Sequence, residues 1–548
     1  MRERYWWVNE ESRTVLDRGY LLEGEKPKDA VDRIVSAAAF RLNRKDYASK
    51  FRDLIEYGWL SLSTPIWCNM GTERGLPISC FGLTIEDSIE SIADSLTEVI
   101  TQTKVGGGTS AYFGNIRSRG SKITNNGESG GSVSFMRLYD TAIAVVSQGT
   151  TRRGNMAAYQ DIDHPDIGEF LGIKNVGSDI QNLFYAVNIT DRWMEEMVDG
   201  DKEKRKLWAR ILESRRAKGL PYLHFVDTAN RLAPAVYRET NRRILASNLC
   251  CEIELPATAE ESFVCCLASM NLELYDEWKE TDAVATAIYF LDGVMSEFIA
   301  KASKIRHLER AVRFAVNHRA LGLGVLGYHS YLQSRLIPFE SLAAKNLNTK
   351  IFRDLKIEAV AASRLLALEY GEPAMMIGRG LRNTTLLSVA PTTSSSSILG
   401  QTSQGIEPLS SNYFKVGLAK GNFIRKNKWL VRLLEEKGAN TDEIWSEIMN
   451  ADGSVQGLSV LSPEEKEVFR TFKETSQLEI INQAAARQEY ICQGQSLNLN
   501  IPPTVDPREI NRLYLEAWRL GVKGLYYQRS QSVSQEFIRI LNCAACAA

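Results

Sequence analysis

Apolar positions recur with a helical period through residues 1 to about 60, as in the stretch from Ala30 to Leu60, with Arg and Glu interspersed; a small helical lead-in is predicted there. A second amphipathic helix is predicted over residues 86–104, where Ile89, Ile92, Leu96, Val99 and Ile100 share one face. Val105-Gly106-Gly107-Gly108-Thr109 breaks it. From Gly107 to Gly131 the chain is rich in Gly, Ser and Asn, which suits either a surface loop or a loop whose amides, with Arg117 or Arg119, meet a phosphate. Further on, Gly322-Leu323-Gly324-Val325-Leu326-Gly327 spells a dinucleotide-binding pattern. The stretch from His307 to Ala320 before it reads as helix, and no acid follows near position 345, so close helix packing is the expected use of these glycines.

Two other patterns bear on chemistry. No charge occurs between Asn383 and Ile406; within this span Leu386–Ala390 predicts a buried strand, and Pro391–Ile398 after it reads as a linker or as a phosphate-cradling loop. Ser247–Pro256 alternates as a strand does, which predicts Asn248, Cys250 and Glu252 on one side and Leu249, Cys251 and Ile253 on the other. A thiol flanked by an amide and a carboxylate is costly to bury without a ligand to satisfy it, so this side is the candidate site.

Composition narrows the function classes. The 548 residues include 66 Lys+Arg and 67 Asp+Glu, a net charge of −1, and this balance speaks against a nucleic-acid polymer as partner. With 44 % hydrophobic and 24 % charged residues the chain is of ordinary globular type; its length suits roughly three or four domains or one large barrel. The start, Met1-Arg2-Glu3-Arg4-Tyr5-Trp6-Trp7, lacks a signal peptide's apolar run, and no segment is expected to span a membrane, so a cytoplasmic protein is expected.

Nine cysteines are too few for a disulfide scaffold in a chain of this length. Cys68 and Cys492 read as buried hydrophobes. Cys543-Ala-Ala-Cys546 sits on an end too short to pack into a core and reads as a mobile dithiol; a zinc site there would need two more ligands, and the chain has five histidines and no second Cys-x-x-Cys. Asp161, Asp163, His164 and Asp166 suggest a metal cluster or, with Pro165, the start of a helix, and the helix start is favoured.

These residues together resemble the large, catalytic subunit of class I ribonucleotide reductase over nearly the whole chain. The resemblance rests on Ser63-Thr64-Pro65 followed by Ser79-Cys80, on Asn248-Leu249-Cys250-Cys251-Glu252, on Cys265 through Ser269-Met270-Asn271-Leu272, on Pro391 through Ser395, on Leu525-Tyr526-Tyr527 and on the terminal cysteine pair. It implies an α/β fold, a ten-stranded barrel of two five-stranded parallel halves, with a helical region at 1–60, the barrel and its finger loop at 61–530 and a flexible redox-active tail at 531–548. The implied activity is thiyl-radical reduction of ribonucleoside diphosphates to 2′-deoxyribonucleotides for DNA synthesis.

By the same resemblance Cys250 carries the thiyl radical that abstracts the ribose 3′-hydrogen, Glu252 is the base for the 3′-hydroxyl, and Asn248 hydrogen-bonds the substrate. Cys80 and Cys265 supply a proton and two electrons and end as a disulfide; Cys265, not Cys266, has the family's distance to Asn271. Cys543 and Cys546 regenerate that pair: fourteen residue steps separate Arg529 from Cys543, a reach of roughly 50 Å when extended. Thr64, Ser79, Thr393, Ser394 and Ser395 bind substrate, Asp87 and Arg117 belong to an allosteric specificity site for dNTP or ATP, and the 86–104 helix lies at a homodimer contact. No metal or cofactor is expected on this chain; Tyr526 and Tyr527 pass in a radical made by the metal cofactor of a separate small subunit, and a thioredoxin- or glutaredoxin-type reductant is the other partner. No N-terminal ATP-cone is expected. The competing readings are an adenosylcobalamin-dependent reductase, which lacks the tyrosine dyad, and a catalytically silent nucleotide-binding homologue.

Overall fold

Pro27 opens the helix Pro27–Arg41, where its missing N–H costs nothing. Ala30, Val31, Ile34, Val35 and Ala38 then fall on one completely buried face. That face meets the 20-residue helix Ala283–Ala302, and the backbones approach so closely that a Cβ on Gly293 would stand 3.0 Å from the carbonyl oxygen of Ala38. With Glu10–Leu16 and Tyr47–Glu56, these N-terminal helices join the main hydrophobic core. The computed structural model describes residues 2–78, 80–146, 154–418, 421–502 and 504–530, and the side chains of 415–418 and 421–423 are left aside.

The fold is α/β, built around a mixed sheet. Its strands are β1 (Leu60–Leu62), β2 (Cys80–Thr84), β3 (Thr109–Tyr112), β4 (Met156–Asp161), β5 (Phe184–Ile189), β6 (Tyr222–Phe225), β7 (Phe263–Asn271) and β8 (Leu321–Leu326). Strands β2 to β6 run parallel in sequence order, with Leu83 opposite Ala111, Thr109 opposite Met156, Ala157 opposite Phe184 and Ala186 opposite Tyr222. Helices such as Ile89–Lys104 and Lys202–Lys218 make the crossovers that parallel strands require. The strands are buried almost throughout, as expected of a parallel sheet covered on both faces.

At β2 the direction changes. Strand β7 pairs antiparallel with β1 and β2 along one edge and parallel with β8 along the other. After the hairpin β9 (Tyr413–Leu418) and β10 (Gly421–Lys426) come three two-residue strands, β11 (Leu499–Asn500), β12 (Gly524–Leu525) and β13 (Gln528–Arg529). Strand β12 pairs antiparallel with β6, and β11 parallel with β13. Parallel bridges join Leu323 to Leu387 and Val389 to Gln495. A second, smaller core holds Leu430, Leu434, Trp445, Ile448 and Phe469.

Two sequence expectations are corrected here, and a third, the helix start at Pro165, is met. Gly322 and Gly324 lie inside β8, not in a helix contact: a Cβ on Gly322 would meet Ser388 Oγ at 2.5 Å, and one on Gly324 the Ser388 carbonyl oxygen at 2.4 Å. The 386–390 segment therefore packs against β8 as only glycine allows. Ala283–Ala302 is long and apolar enough to cross a membrane, contrary to the expectation that no segment would be, but it is mostly buried within the fold. Finally, the helix after Pro165 begins at Ile167. Asp166 accepts from the backbone N–H of Arg119 and Ser132, and His164 Nε2 contacts the Ile116 carbonyl oxygen at 2.8 Å, so these polar groups tie loops together.

Asp292, fully buried on Ala283–Ala302, takes Arg319 at 2.8 and 2.9 Å and Arg382 at 3.0 Å. Burial alone would raise its pKa; the two guanidinium groups outweigh that and hold it below the ordinary carboxylate range. Asp292→Ala strands two cations against the core and is expected to cost about 3–5 kcal/mol, read as a drop in chemical-denaturation stability.

Candidate active site

The segment 247–254 is a tight loop and not the extended strand that alternation predicts. Ser247 and Glu254 bridge antiparallel at its base. The Asn248 side-chain oxygen accepts from the backbone N–H groups of Glu252 and Ile253, both at 3.0 Å, while Asn248 N–H donates to the Ile253 carbonyl at 3.2 Å. An Asn side chain that bonds the chain a few residues on lets it reverse without a ladder partner. Cys250 and Cys251 occupy the tip, and Cys251 takes φ +66°, the left-handed region that L residues seldom enter.

Cys250 and Glu252 are nevertheless held together, through Ser496. Its hydroxyl lies 2.5 Å from the Cys250 carbonyl oxygen and 3.2 Å from Glu252 Oε2. Cys251 turns away to the Tyr159 hydroxyl at 3.7 Å, and burial pushes its thiol well up. Cys251 thus sits on the side away from Cys250, as the sequence pattern expects, with its sulfur buried against a core hydroxyl.

Cys80 on β2 stands directly opposite Cys265 on β7. Antiparallel partners have Cα atoms ~4.5–5.5 Å apart, inside the span of a disulfide. Cys266 faces the other way, with its sulfur 3.6 Å from the Leu291 carbonyl oxygen, which distinguishes the two members of the doublet. Asn248 Nδ2 approaches Cys80 Sγ at 3.5 Å, so the loop meets the dithiol. Burial raises the Cys265 thiol well above its ordinary pKa. A thiol that holds its proton at neutral pH can deliver it.

Thr64 begins the helix Thr64–Asn69, and Thr393, Ser394 and Ser395 form the first turn of Thr393–Ile398. The two helix starts adjoin: Ser395 Oγ lies 3.4 Å from the Leu62 carbonyl oxygen, and Tyr20 OH lies 3.2 Å from Thr64 Oγ1. First-turn amides lack intrahelical acceptors, so the pair of starts suits an anion. Asp87 and Arg117 meet each other, Arg117 Nε to Oδ2 at 2.7 Å and its backbone N–H to Oδ1 at 3.1 Å, both half-exposed. Ser79, Cys543 and Cys546 lie outside the described residues.

Tyr526 and Tyr527 do not alternate between core and solvent. Both are buried, with ring centroids 4.3 Å apart, because β12 ends before them and β13 begins after them. Their backbone N–H groups donate to the Leu497 carbonyl at 2.8 Å and to Asn498 Oδ1 at 3.1 Å. Tyr222 packs against both rings, at 4.8 and 5.2 Å.

Sequence reasoning missed Ser496, Gln493, Tyr159 and Tyr222, and also a buried chain under the loop: Glu254 to His224 at 3.0 Å, His224 to Asn188 at 2.7 Å, Asn188 to Asp161 at 3.0 Å and Tyr112 to Asp161 at 2.5 Å. One signal was available: Gln493-Gly494-Gln495-Ser496 is an uncharged polar run between Cys492 and Leu497, and a polar run flanked by apolar residues calls for partners.

A loop-borne thiol and carboxylate beside a disulfide-competent cysteine pair in an α/β fold is the arrangement expected of an oxidoreductase. The barrel domain of ribonucleotide reductase matches residues 78–204, 201–376 and 373–528, and the chain belongs to the ribonucleotide reductase large-subunit family. Its structure is similar to that of the class Id ribonucleotide reductase alpha subunit of Actinobacillus ureae, with 50% identity, a TM-score of 0.93 and coverage of 99% of this chain and 100% of that one. The ribonucleoside-diphosphate reductase large subunit of Invertebrate iridescent virus 3 is 34% identical over 91% of this chain and 90% of its own length. The vitamin B12-dependent ribonucleoside-diphosphate reductase of Mycobacterium tuberculosis is 32% identical over 96% of this chain and 78% of its own.

Mild oxidation of the purified chain with diamide is expected to join Cys80 to Cys265 within one chain and to leave Cys266 alkylatable, as mapped by peptide mass spectrometry. A Cys80–Cys266 bond instead would contradict the register.

Proposed function

We propose that the chain is the catalytic subunit of a class I ribonucleoside-diphosphate reductase. The observation that carries this reading is the meeting of the Asn248–Cys250–Glu252 loop with the Cys80–Cys265 pair, through the 3.5 Å approach of Asn248 to Cys80. Cys250 as thiyl radical takes the ribose 3′-hydrogen. Glu252, within 3.2 Å of Ser496 Oγ, accepts the 3′-hydroxyl proton as the 2′-hydroxyl leaves. Cys80 and Cys265 then give up two electrons and two protons, one proton leaving with the 2′-hydroxyl as water and the other ending at C2′, and close a disulfide, while Cys250 and Glu252 return the hydrogen and the proton they took. Asn248 orients the ribose, and Thr64, Ser79, Thr393, Ser394 and Ser395 hold the phosphates at the two adjoining helix starts.

Class I is favoured over the cobalamin-dependent alternative by the adjoining, buried rings of Tyr526 and Tyr527, 4.3 Å apart, a short aromatic step along which a radical from the metal cofactor of a separate small subunit travels to Cys250. The ten-stranded barrel of two five-stranded parallel halves, within 61–530, is supported by the antiparallel joins β2–β7 and β6–β12 and by the bridges beyond β8. A homodimer contact at residues 86–104 is supported by exposed Ile89 and by exposed Leu138 and Val145 on the helix Ser132–Val145, which packs against Ile89–Lys104. Asp87 and Arg117, half-exposed beside that contact, read dNTP or ATP. The helical region at 1–60 precedes the barrel, and the tail at 531–548 brings Cys543 and Cys546 to the spent disulfide and exchanges with a thioredoxin- or glutaredoxin-type reductant. A reducing compartment, the cytoplasm, agrees with nine cysteines in 548 residues, too few for a disulfide scaffold.

Mixed with a radical-bearing small subunit, CDP and dithiothreitol, the chain is expected to form dCDP; Cys250→Ser brings this to background, and so does Tyr526→Phe. Turnover with adenosylcobalamin and no partner, surviving Tyr526→Phe, would overturn the class I reading in favour of the alternative.

A further inference from the structure

The side chain of Gln493 is completely buried and its orientation is set by its partners. Its Oε1 accepts from the backbone N–H of Glu254 at 3.2 Å, so the opposite end is the NH2 group. That Nε2 lies 2.9 Å from the Leu321 carbonyl oxygen, 3.1 Å from Thr385 Oγ1 and 3.3 Å from Cys265 Sγ. The Gln493 carbonyl is itself fixed by Lys523 Nζ at 2.9 Å. Two hydrogens thus serve three acceptors, and Thr385 satisfies itself in part by donating to the Leu321 carbonyl at 3.1 Å. A charged acceptor binds a hydrogen about twice as strongly as a neutral one, so a thiolate on Cys265 would claim the shared hydrogen.

We infer that the Cys80–Cys265 disulfide opens in one direction: an incoming thiolate attacks the sulfur of Cys80, and Cys265 leaves as the thiolate received by Gln493. The inference rests on the reading of these two cysteines as the reducing pair. Displacement at sulfur runs in line, the nucleophile arriving opposite the leaving sulfur. Attack on Cys265 must therefore come from the side away from Cys80. Strand β2, with Cys80, pairs on one edge of β7, and β8 pairs on the other. On that far side Gly322 is so close that a Cβ there would stand 3.2 Å from Cys265 Sγ, and Gln493 fills the space beside it. Cys265 is 1% exposed against 5% for Cys80. Burial makes a bare thiolate at Cys265 costly, and the Gln493 N–H opposes that cost.

The electrons balance as follows. One thiolate of a dithiol reductant bonds to Cys80 Sγ, the Cys80–Cys265 bond breaks, and its electron pair goes to Cys265 Sγ. The second thiolate of the same reductant then attacks its own mixed-disulfide sulfur and expels Cys80, leaving a cyclic disulfide. The two protons of the reductant end on Cys265 and Cys80.

The test uses the full chain after turnover with the small subunit and excess CDP has run to exhaustion without reductant, which leaves both the Cys80–Cys265 pair and the tail pair oxidised. Briefly treated with 2-mercaptoethanol, quenched with N-ethylmaleimide at the earliest times and mapped by mass spectrometry, it is expected to carry mercaptoethanol on Cys80 and maleimide on Cys265. The reverse placement, or an equal mixture, overturns the inference. In Gln493→Leu, reduction of the disulfide by dithiothreitol is expected to slow about tenfold with the KM for CDP within twofold; an unchanged reduction rate also overturns it. The mapping needs only the unaltered chain and stands even where Gln493→Leu does not fold. If turnover leaves no Cys80–Cys265 disulfide at all, the reading of the reducing pair itself fails, an outcome distinct from attack on the wrong sulfur.

Discussion

The antiparallel pairing of β2 with β7 is the contact on which the other features depend. It joins the parallel run β2–β6 to the separate parallel pair β7–β8, and in the same three residue pairs it sets Cys80 opposite Cys265. Because side chains alternate along a strand, a shift of one residue would put Cys266 opposite Cys80 and turn Cys265 toward the helix Ala283–Ala302. Register and the facing of these two sulfurs are therefore one constraint. The glycines of β8 belong to it too, since only their lack of a Cβ lets the 386–390 segment close on the far side of Cys265.

The second theme is the management of buried polarity. Around the loop of Cys250 the protein buries Asn248, Glu252, Glu254, His224, Gln493, Ser496 and Lys523 almost completely, a set that would be prohibitively expensive unpaired. The pairings also tie the parts of the site to one another. Asn248 shapes the loop with its oxygen and reaches Cys80 with its nitrogen; Ser496 ties the Cys250 carbonyl to the Glu252 carboxylate; Gln493 links the loop base at Glu254 to the Cys265 sulfur. The same low-dielectric interior keeps the Cys265 thiol protonated, which suits a proton donor and makes the amide beside it consequential once the sulfur is charged.

Much of this was legible in the residues. Helical periodicity placed the N-terminal helices and the helix beginning near residue 89, and the apolar run Leu386–Ala390 announced a buried segment. The spacing of the cysteines with Asn248, Glu252, Thr64 and the tyrosine pair carried the resemblance to the family that the comparisons establish. Local pattern misled where a side chain replaced the backbone as partner or where tertiary packing took over. Alternation at Ser247–Pro256 described a strand, but the Asn248 side chain bends it into a loop. Gly322 and Gly324 looked like helix-packing glycines, and their packing partner, Ser388, lies more than sixty residues away.

What the sequence alone determined was the chemical inventory: which thiols, carboxylate, amide and tyrosines are available, and that their order belongs to ribonucleotide reductase large subunits. Such information is carried by residue identity and spacing. The tertiary structure alone decided which sulfur faces which, that Tyr526 and Tyr527 are both buried with their rings in contact, and that Gln493 and Ser496 belong to the site at all. Those facts arise from strand register and from contacts between residues hundreds of positions apart, such as Gln493 with Cys265, and no local pattern encodes a contact that exists only after the chain has closed on itself.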